Sequence, residues 1–204
     1  TIEHCGRSPW NAALRIQPDT CWNPLPITIN QCRIQNNLNH GVFIDVSSKL
    51  TSPRISLNGN TIQYNDYGVY VNPGPNTIEL YSNTFFGNTY GFYAVESQQD
   101  ILLWNLFENN GVGMYLNMVK NIDVVSNGFI DNDQHCQFLD IKKTTFDGNY
   151  WDNWLGRFFP INLGIPKIIN GVHEPEIPWY SQIRIDRHPS RYFIQNADFL
   201  KNYL

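Results

Sequence analysis

The chain has 204 residues and a formal charge of −4, enough for one domain in which stacked repeats bury a continuous core. Only 14 lysines and arginines are present, too few for the clustered basic face of a nucleic-acid binder, and no apolar run approaches the roughly 18 residues of a membrane-spanning helix. Charged residues make up 16% and aromatics 14%, a balance suited to long flat β surfaces.

Thr1 opens the chain in mid-strand with no signal peptide, which predicts a processed or excised piece whose first coil lacks its cap. The exposed edge of such a coil would be covered by further chain or by a partner. Residues 1–26 read as a partial coil followed by PDTCWNPLP, whose three prolines keep it out of a central strand. The coil from Ile27 carries a second long loop around SSKLTSPR. Such insertions collect on one side of a solenoid, where binding often occurs.

From Ile55 the repeat is plain. ISLNGNTIQYNDYGVYV (from Ile55), IELYSNTFFGNTYGFYA (from Ile78) and LLWNLFENNGVGMYL (from Leu102) share an apolar–Asn–apolar–Asn frame closed by Gly and apolar–Tyr–apolar. Taking the first Asn as zero, the register runs Cys5, Cys32, Asn60, Asn83, Asn105, Asn127 and Asn149, in steps of 27, 28, 23, 22, 22 and 22. Three places earlier stand Ile2, Ile29, Leu57, Leu80, Leu102, Val124 and Phe146; two places later stand Arg7, Ile34, Ile62, Phe85, Phe107, Phe129 and Trp151. Apart from Arg7 both columns are apolar, as inward-facing strand positions must be. No helical i, i+3, i+4 stripe competes. The predicted fold is all-β: a single-stranded right-handed parallel β-helix of about seven coils over residues 1–154, with an irregular C-terminal cap over 155–204.

A second Asn column, Asn37, Asn65, Asn88, Asn110 and Asn132, marks another corner. Asn suits such corners because its short amide tolerates left-handed backbone and can bond stacked backbone groups. Gly41, Gly68, Gly91 and Gly113 follow and are expected to relieve the same strain. A third strand then alternates Val42/Ile44, Val69/Val71, Phe92/Ala94, Met114/Leu116 and Cys136/Phe138 inward. The residues between them point outward: Phe43, Tyr70, Tyr93 and Tyr115, with Gln137 breaking the row. Four aromatics in register predict an exposed stripe about 14 Å long, taking three strand spacings of ~4.8 Å. These four are the candidate substrate-binding residues, since sugar rings stack on flat apolar faces; the alternative is that the stripe packs beneath a loop, against a neighbouring subunit or simply on itself.

The acidic residues offer a weaker pattern. Glu108 and Asp152 share an outward column, with Asp131 one place further on the coil between them; the trio could hold a hard cation or do acid–base work, or simply form turns. Asp123 and Asp147 make a second pair. His40 and His135 lie several coils apart, which rules against one histidine site. Cys5 and Cys32, one strand spacing apart by register, permit either a disulfide or a stack of free thiols. No CxxC, nucleophile elbow, phosphate loop or zinc-hydrolase signature occurs, so no metal or cofactor is expected. Beyond Trp154 the period stops, and Phe158, Phe159, Trp179 and Tyr180 are expected to cover the open end of the last coil, with a short helix or docking tail from Arg191.

The repeats, together with GNYWDNW at 148–154 and IDRHP at 185–189, resemble the NosD-like right-handed parallel β-helix family. Asn149, Tyr150, Trp151 and Asp152 match the family's Asn-Tyr-Trp-Asp, and Asp186, Arg187 and Pro189 its Asp-Arg-x-Pro. The resemblance implies the fold and a kinship with carbohydrate-binding and sugar-hydrolase β-helices, including polysaccharide lyases and epimerases, and with periplasmic proteins of copper-enzyme maturation. With two methionines and no His/Met/Cys cluster, copper handling is not carried over.

The function expected is that of a secreted or cell-surface β-helix that binds a glycan or a surface protein, with no identifiable catalytic machinery. One alternative is a polysaccharide lyase or hydrolase using Glu108, Asp131 or Asp152 with Arg33, Arg54 or Lys142. The other is a structural subunit whose N-terminal coil stacks on another chain.

Overall fold

The computed structural model of the chain describes residues 2–3, 12–17, 26–45, 54–74, 77–154, 167–170 and 183–190. Two strands come first, β1 (Ile2–Glu3) and β2 (Ala12–Ile16). A three-strand coil follows: β3 (Ile27–Asn30), β4 (Arg33–Gln35) and β5 (His40–Ile44). Next come β6 (Arg54–Asn58), β7 (Thr61–Gln63) and β8 (Tyr67–Val71), then β9 (Thr77–Tyr81), β10 (Thr84–Phe86) and β11 (Tyr90–Val95). Two more coils are β12 (Ile101–Leu103), β13 (Leu106–Glu108), β14 (Val112–Asn117) and β15 (Asp123–Val125), β16 (Gly128–Ile130), β17 (Gln134–Leu139). The incomplete last coil has β18 (Thr145–Asp147) and β19 (Tyr150–Trp151), followed by a hairpin of β20 (Lys167–Asn170) and β21 (Ile183–Asp186).

Each coil contributes one strand to each of three parallel sheets. Sheet 1 is β3-β6-β9-β12-β15-β18, sheet 2 is β1-β4-β7-β10-β13-β16-β19, and sheet 3 is β2-β5-β8-β11-β14-β17. The chain is thus a parallel β-helix. Instead of about seven equivalent coils, four regular ones run from Arg54 to Leu139, preceded by the looped coil from Ile27 and flanked by incomplete ones.

The inward columns are as expected. Ile29, Leu57, Leu80, Leu102, Val124 and Phe146 pair in sequence along sheet 1, and Ile34, Ile62, Phe85, Phe107, Phe129 and Trp151 along sheet 2. The last four stack face to face, with ring centroids 4.3–5.0 Å apart and planes within 8°. The first row differs from expectation: Ile2 pairs with Ile34 in sheet 2, not with Ile29 in sheet 1. The apolar period of two carries Ile2 into whichever ladder accepts it, and the Arg7 irregularity marked the wrong register. Cys5 and Cys21 lie outside the described residues, as do the cap residues Phe158, Phe159, Trp179 and Tyr180 and the segment from Arg191. Cys32 carries a free thiol, its Sγ 3.3 Å from the Asn30 carbonyl oxygen.

Both Asn columns are buried hydrogen-bonded ladders. The Oδ1 of Asn83 accepts from the backbone N–H (2.9 Å) and the side-chain amide (2.9 Å) of Asn60, and the pattern repeats through Asn105, Asn127 and Asn149. The second ladder does the same from Asn37 to Asn132. The left-handed backbone expected of these asparagines belongs instead to the residue before each. In the first corner it falls on Gln31, Gly59, Ser82, Trp104, Ser126 and Gly148, and in the second on Asn36, Tyr64, Gly87, Asn109 and Asp131, with φ between 49° and 65°. The glycines have a different role from the one expected. A Cβ on Gly68 or Gly91 would meet the carbonyl oxygen of the next coil's glycine at 2.5 Å, so these positions demand close approach between coils.

Each ladder has a direction, since every Asn donates toward the next coil. At the C-terminal end the donors of Asn149 need a terminal acceptor, and the fully buried Asp186 on β21 supplies it. Its Oδ2 accepts from the Asn149 N–H, the Asn149 Nδ2 and the Trp151 Nε1, each at 3.0 Å. The two terminal motifs are therefore one connection. The hairpin seals this end further, with Ile169 joining the core and the Arg184 guanidinium 5.5 Å above the Phe138 ring.

Two outcomes follow. Asn83→Ala strands two buried donors on Asn60, each costing about 1–3 kcal/mol, so urea unfolding should show a loss of about 2–6 kcal/mol; a change below about 0.5 kcal/mol, the size of an ordinary surface effect, would remove the ladder's structural role. Asp186→Ala should destabilise the chain by at least about 2 kcal/mol more than Asp186→Asn, whose amide oxygen can accept the same three bonds. Equal losses would show that Asp186 is not the ladder's acceptor.

Candidate functional site

The outer surface of sheet 3 carries the predicted stripe. Phe43, Tyr70, Tyr93 and Tyr115 pair in register along β5, β8, β11 and β14, and Gln137 on β17 ends the row. Tyr70 stacks on Tyr93 at 5.0 Å with planes 11° apart, and Tyr93 on Tyr115 at 4.6 Å with planes 10° apart. Phe43 is only 3% exposed, not open as expected. His40, Tyr70 and the Arg15 guanidinium surround it, the last 5.3 Å from the ring centre and held by Asp45 at 2.8 Å. The open part of the row is therefore Tyr70, Tyr93 and Tyr115.

A second row runs beside the first. His40, Tyr67 and Tyr90, the residues that precede Gly41, Gly68 and Gly91, stack at 5.1 Å with planes 7–17° apart. The two rows meet edge to face, the Tyr67–Tyr70, Tyr67–Tyr93 and Tyr90–Tyr93 planes crossing at 84–85°. The result is a herringbone of rings. Counting outward positions only between the inward pairs missed this row; the His-Gly, Tyr-Gly, Tyr-Gly recurrence was its signal.

The herringbone changes the chemistry of the face. Ring faces stacked on their neighbours are not free to take a sugar ring between them, so the surface presents edges and hydroxyls. Burial, followed by Tyr90, Tyr70 and Asp66, pushes the Tyr67 phenol above its ordinary value, and burial does the same for Tyr70. Tyr93 is raised furthest, by burial first and then by Tyr115 and its other ring neighbours. These hydroxyls stay neutral and can both donate and accept hydrogen bonds.

The acidic trio is not a cation site. Asp152 uses Oδ1 on His135 Nε2 at 2.6 Å and Oδ2 to accept the Asp131 N–H at 2.5 Å. His135 Nδ1 lies 3.3 Å from Asn132 Nδ2, so the imidazole stands where the second ladder would need its next acceptor. Burial lowers the His135 pKa, with Asp152 opposing, which suits a neutral ring that accepts at Nδ1 and donates at Nε2. Glu108 pairs in register with Ile130, and no group of three His, Cys, Asp or Glu able to hold a metal occurs among the described residues. Of the proposed basic partners, Arg54 faces Glu79 at 3.3 Å and Lys142 faces Asp140 at 3.6 Å. Asp123 pairs in register with Thr145, and Asp147 contacts His188 at 2.7 Å, so these acids do not form a pair either.

A buried acid that sequence reading passed over lies between β11 and β12. Asp100 is 1% exposed, accepts from Ser97 Oγ at 2.5 Å and from the Ile78 N–H at 3.1 Å, and faces the core. Burial raises its pKa from 3.8 to about 7 against the pull of those two bonds. The fold therefore holds a proton that the unfolded chain has released between those values. The Asp100 contribution to stability is fully present below the ordinary carboxylate range and is lost as pH rises toward 7, by at most about 1.4 kcal/mol per unit. Asp100→Asn should lack this component, so wild-type minus variant unfolding free energies from pH 4 to 8 should slope downward; a flat difference would refute it.

A family model described as a right-handed beta helix region matches residues 16–154, well over half the chain. No curated protein and no solved structure matches it. No helix among the described residues is long and apolar enough to cross a membrane.

Proposed function

Because the chain belongs to the right-handed β-helix family, whose stacked coils repeat an outward side chain at every turn, we propose that it is a secreted or cell-surface scaffold that binds a glycan along the tyrosine face of sheet 3. The observation that carries this reading is the two-row array of Tyr67, Tyr70, Tyr90, Tyr93 and Tyr115, partly exposed and fixed by stacking. Neutral hydroxyls above apolar ring edges match the alternation of hydroxyl and C–H groups on a polysaccharide. The rings are already ordered, so little side-chain entropy remains to be lost on binding. The family motifs joined through Asp186 support a NosD-like, carbohydrate-type member as part of the same reading.

Affinity electrophoresis and a glycan array test it. Tyr93→Ala and Tyr70→Ala, checked for retained fold by circular dichroism, should each weaken glycan binding at least tenfold, equivalent to about 1.4 kcal/mol. No binding by the wild type, or unchanged binding by both variants, would overturn the proposal; capture of protein spots alone would replace the glycan by a protein partner.

A further inference from the structure

The corner between sheets 1 and 2 carries a groove of about 970 Å³ that lies away from the tyrosine face. Its origin is a defect in an otherwise regular row. The left-handed residues before the first ladder run Gln31, Gly59, Ser82, Trp104 up successive coils, so two small residues sit between two large ones. At Gly59 an added Cβ would find nothing nearer than Gln31 Cγ at 3.8 Å, so the space is open rather than filled by a neighbour. The adjacent outward row contributes Asn30, Asn58 and Tyr81, in register across β3, β6 and β9. With Trp104 the groove spans four coils, about 14 Å along the axis at one strand spacing per coil.

Its chemistry is specific. The described lining has aromatic rings (Tyr81, Trp104), amides (Asn30, Gln31, Asn58) and hydroxyls (Thr61, Ser82, Thr84) but no charged side chain. Of these, the Asn30 and Gln31 side chains are exposed. Among the described lining residues a phosphate or uronate would find no cation, and a purely apolar ligand would leave the amides unmet. From this we infer that the groove binds a short stretch of neutral oligosaccharide, ring against Tyr81 or Trp104 and hydroxyls against the exposed amides of Asn30 and Gln31. The inference rests on the glycan-binding reading for its ligand class, and on a different face for its site.

The test is calorimetric titration of the full chain with soluble xylan, mannan and β-glucan, and with polygalacturonate as the charged control. The variants are Trp104→Ala, Ser82→Gln and Tyr93→Ala. Ser82→Gln fills the notch with a residue that the same corner already accepts, since Gln31 has φ 52° and Ser82 53°. Both groove variants should weaken binding of a neutral glycan tenfold or more, with the thermal midpoint of Ser82→Gln unchanged. Loss in both groove variants upholds this inference whether or not Tyr93→Ala also loses binding, and unchanged binding by Tyr93→Ala would separately remove the tyrosine face. Loss in Tyr93→Ala alone overturns the groove and leaves the tyrosine face. Binding of polygalacturonate only, or of no polymer, overturns it as well.

Discussion

The fold depends on a coupling, at the two asparagine corners of the coils, between left-handed backbone and the buried amide that follows it. A non-glycine residue in that conformation costs about 1–2 kcal/mol, and of the 14 in the described coils seven stand directly before a ladder asparagine. What offsets this is the next residue: a mid-column asparagine such as Asn83 accepts two hydrogen bonds from the coil before it and gives two to the coil after it. The amide therefore stabilises the turn and fixes the spacing and register of neighbouring coils together. Everything outside the core inherits that register, including both aromatic rows.

A directional ladder must end somewhere, and its ends are where the repeat is broken. Asp186 ends the first by offering a carboxylate oxygen to three donors at 3.0 Å. His135 ends the second with a ring nitrogen, itself oriented by Asp152. At the other end Cys32 takes the place of an asparagine and keeps only the backbone donor, its N–H reaching Asn60 Oδ1 at 2.9 Å. Asp152, one of the acids considered for acid–base work, has its place in this requirement through His135. The pairing is what a ladder terminus needs, with one nitrogen accepting and the other donating.

This explains which features could be read from the sequence. Apolar columns and asparagine spacings are periodic, so they survive as pattern, and the three-sheet coil follows from them. Three kinds of feature were not periodic in the same way. Ile2 fitted two ladders equally well because both accept an apolar residue, and only pairing chooses between them. The Asp186 connection joins residues 37 apart in a segment without any repeat, so no spacing announces it. Ring orientation is the third: register places Tyr70, Tyr93 and Tyr115 in a row, yet whether they show faces or edges depends on the second row, Tyr67 and Tyr90, crossing them at 79–85°.

Ring orientation also decides how the two proposed surfaces divide the work. In a stack with one ring per coil, the 4.8 Å strand spacing lets tilted rings cover each other's faces, so a perfectly repeated aromatic row makes a stiff, edge-lined surface. A concave site needs the opposite, a row whose side chains change size from coil to coil. The tyrosine rows satisfy the first condition because residue type is constant along them, and the Gln31–Gly59–Ser82–Trp104 row satisfies the second because it is not. In a solenoid of this kind regularity builds the rod and its flat faces, and departure from regularity is what can enclose a ligand.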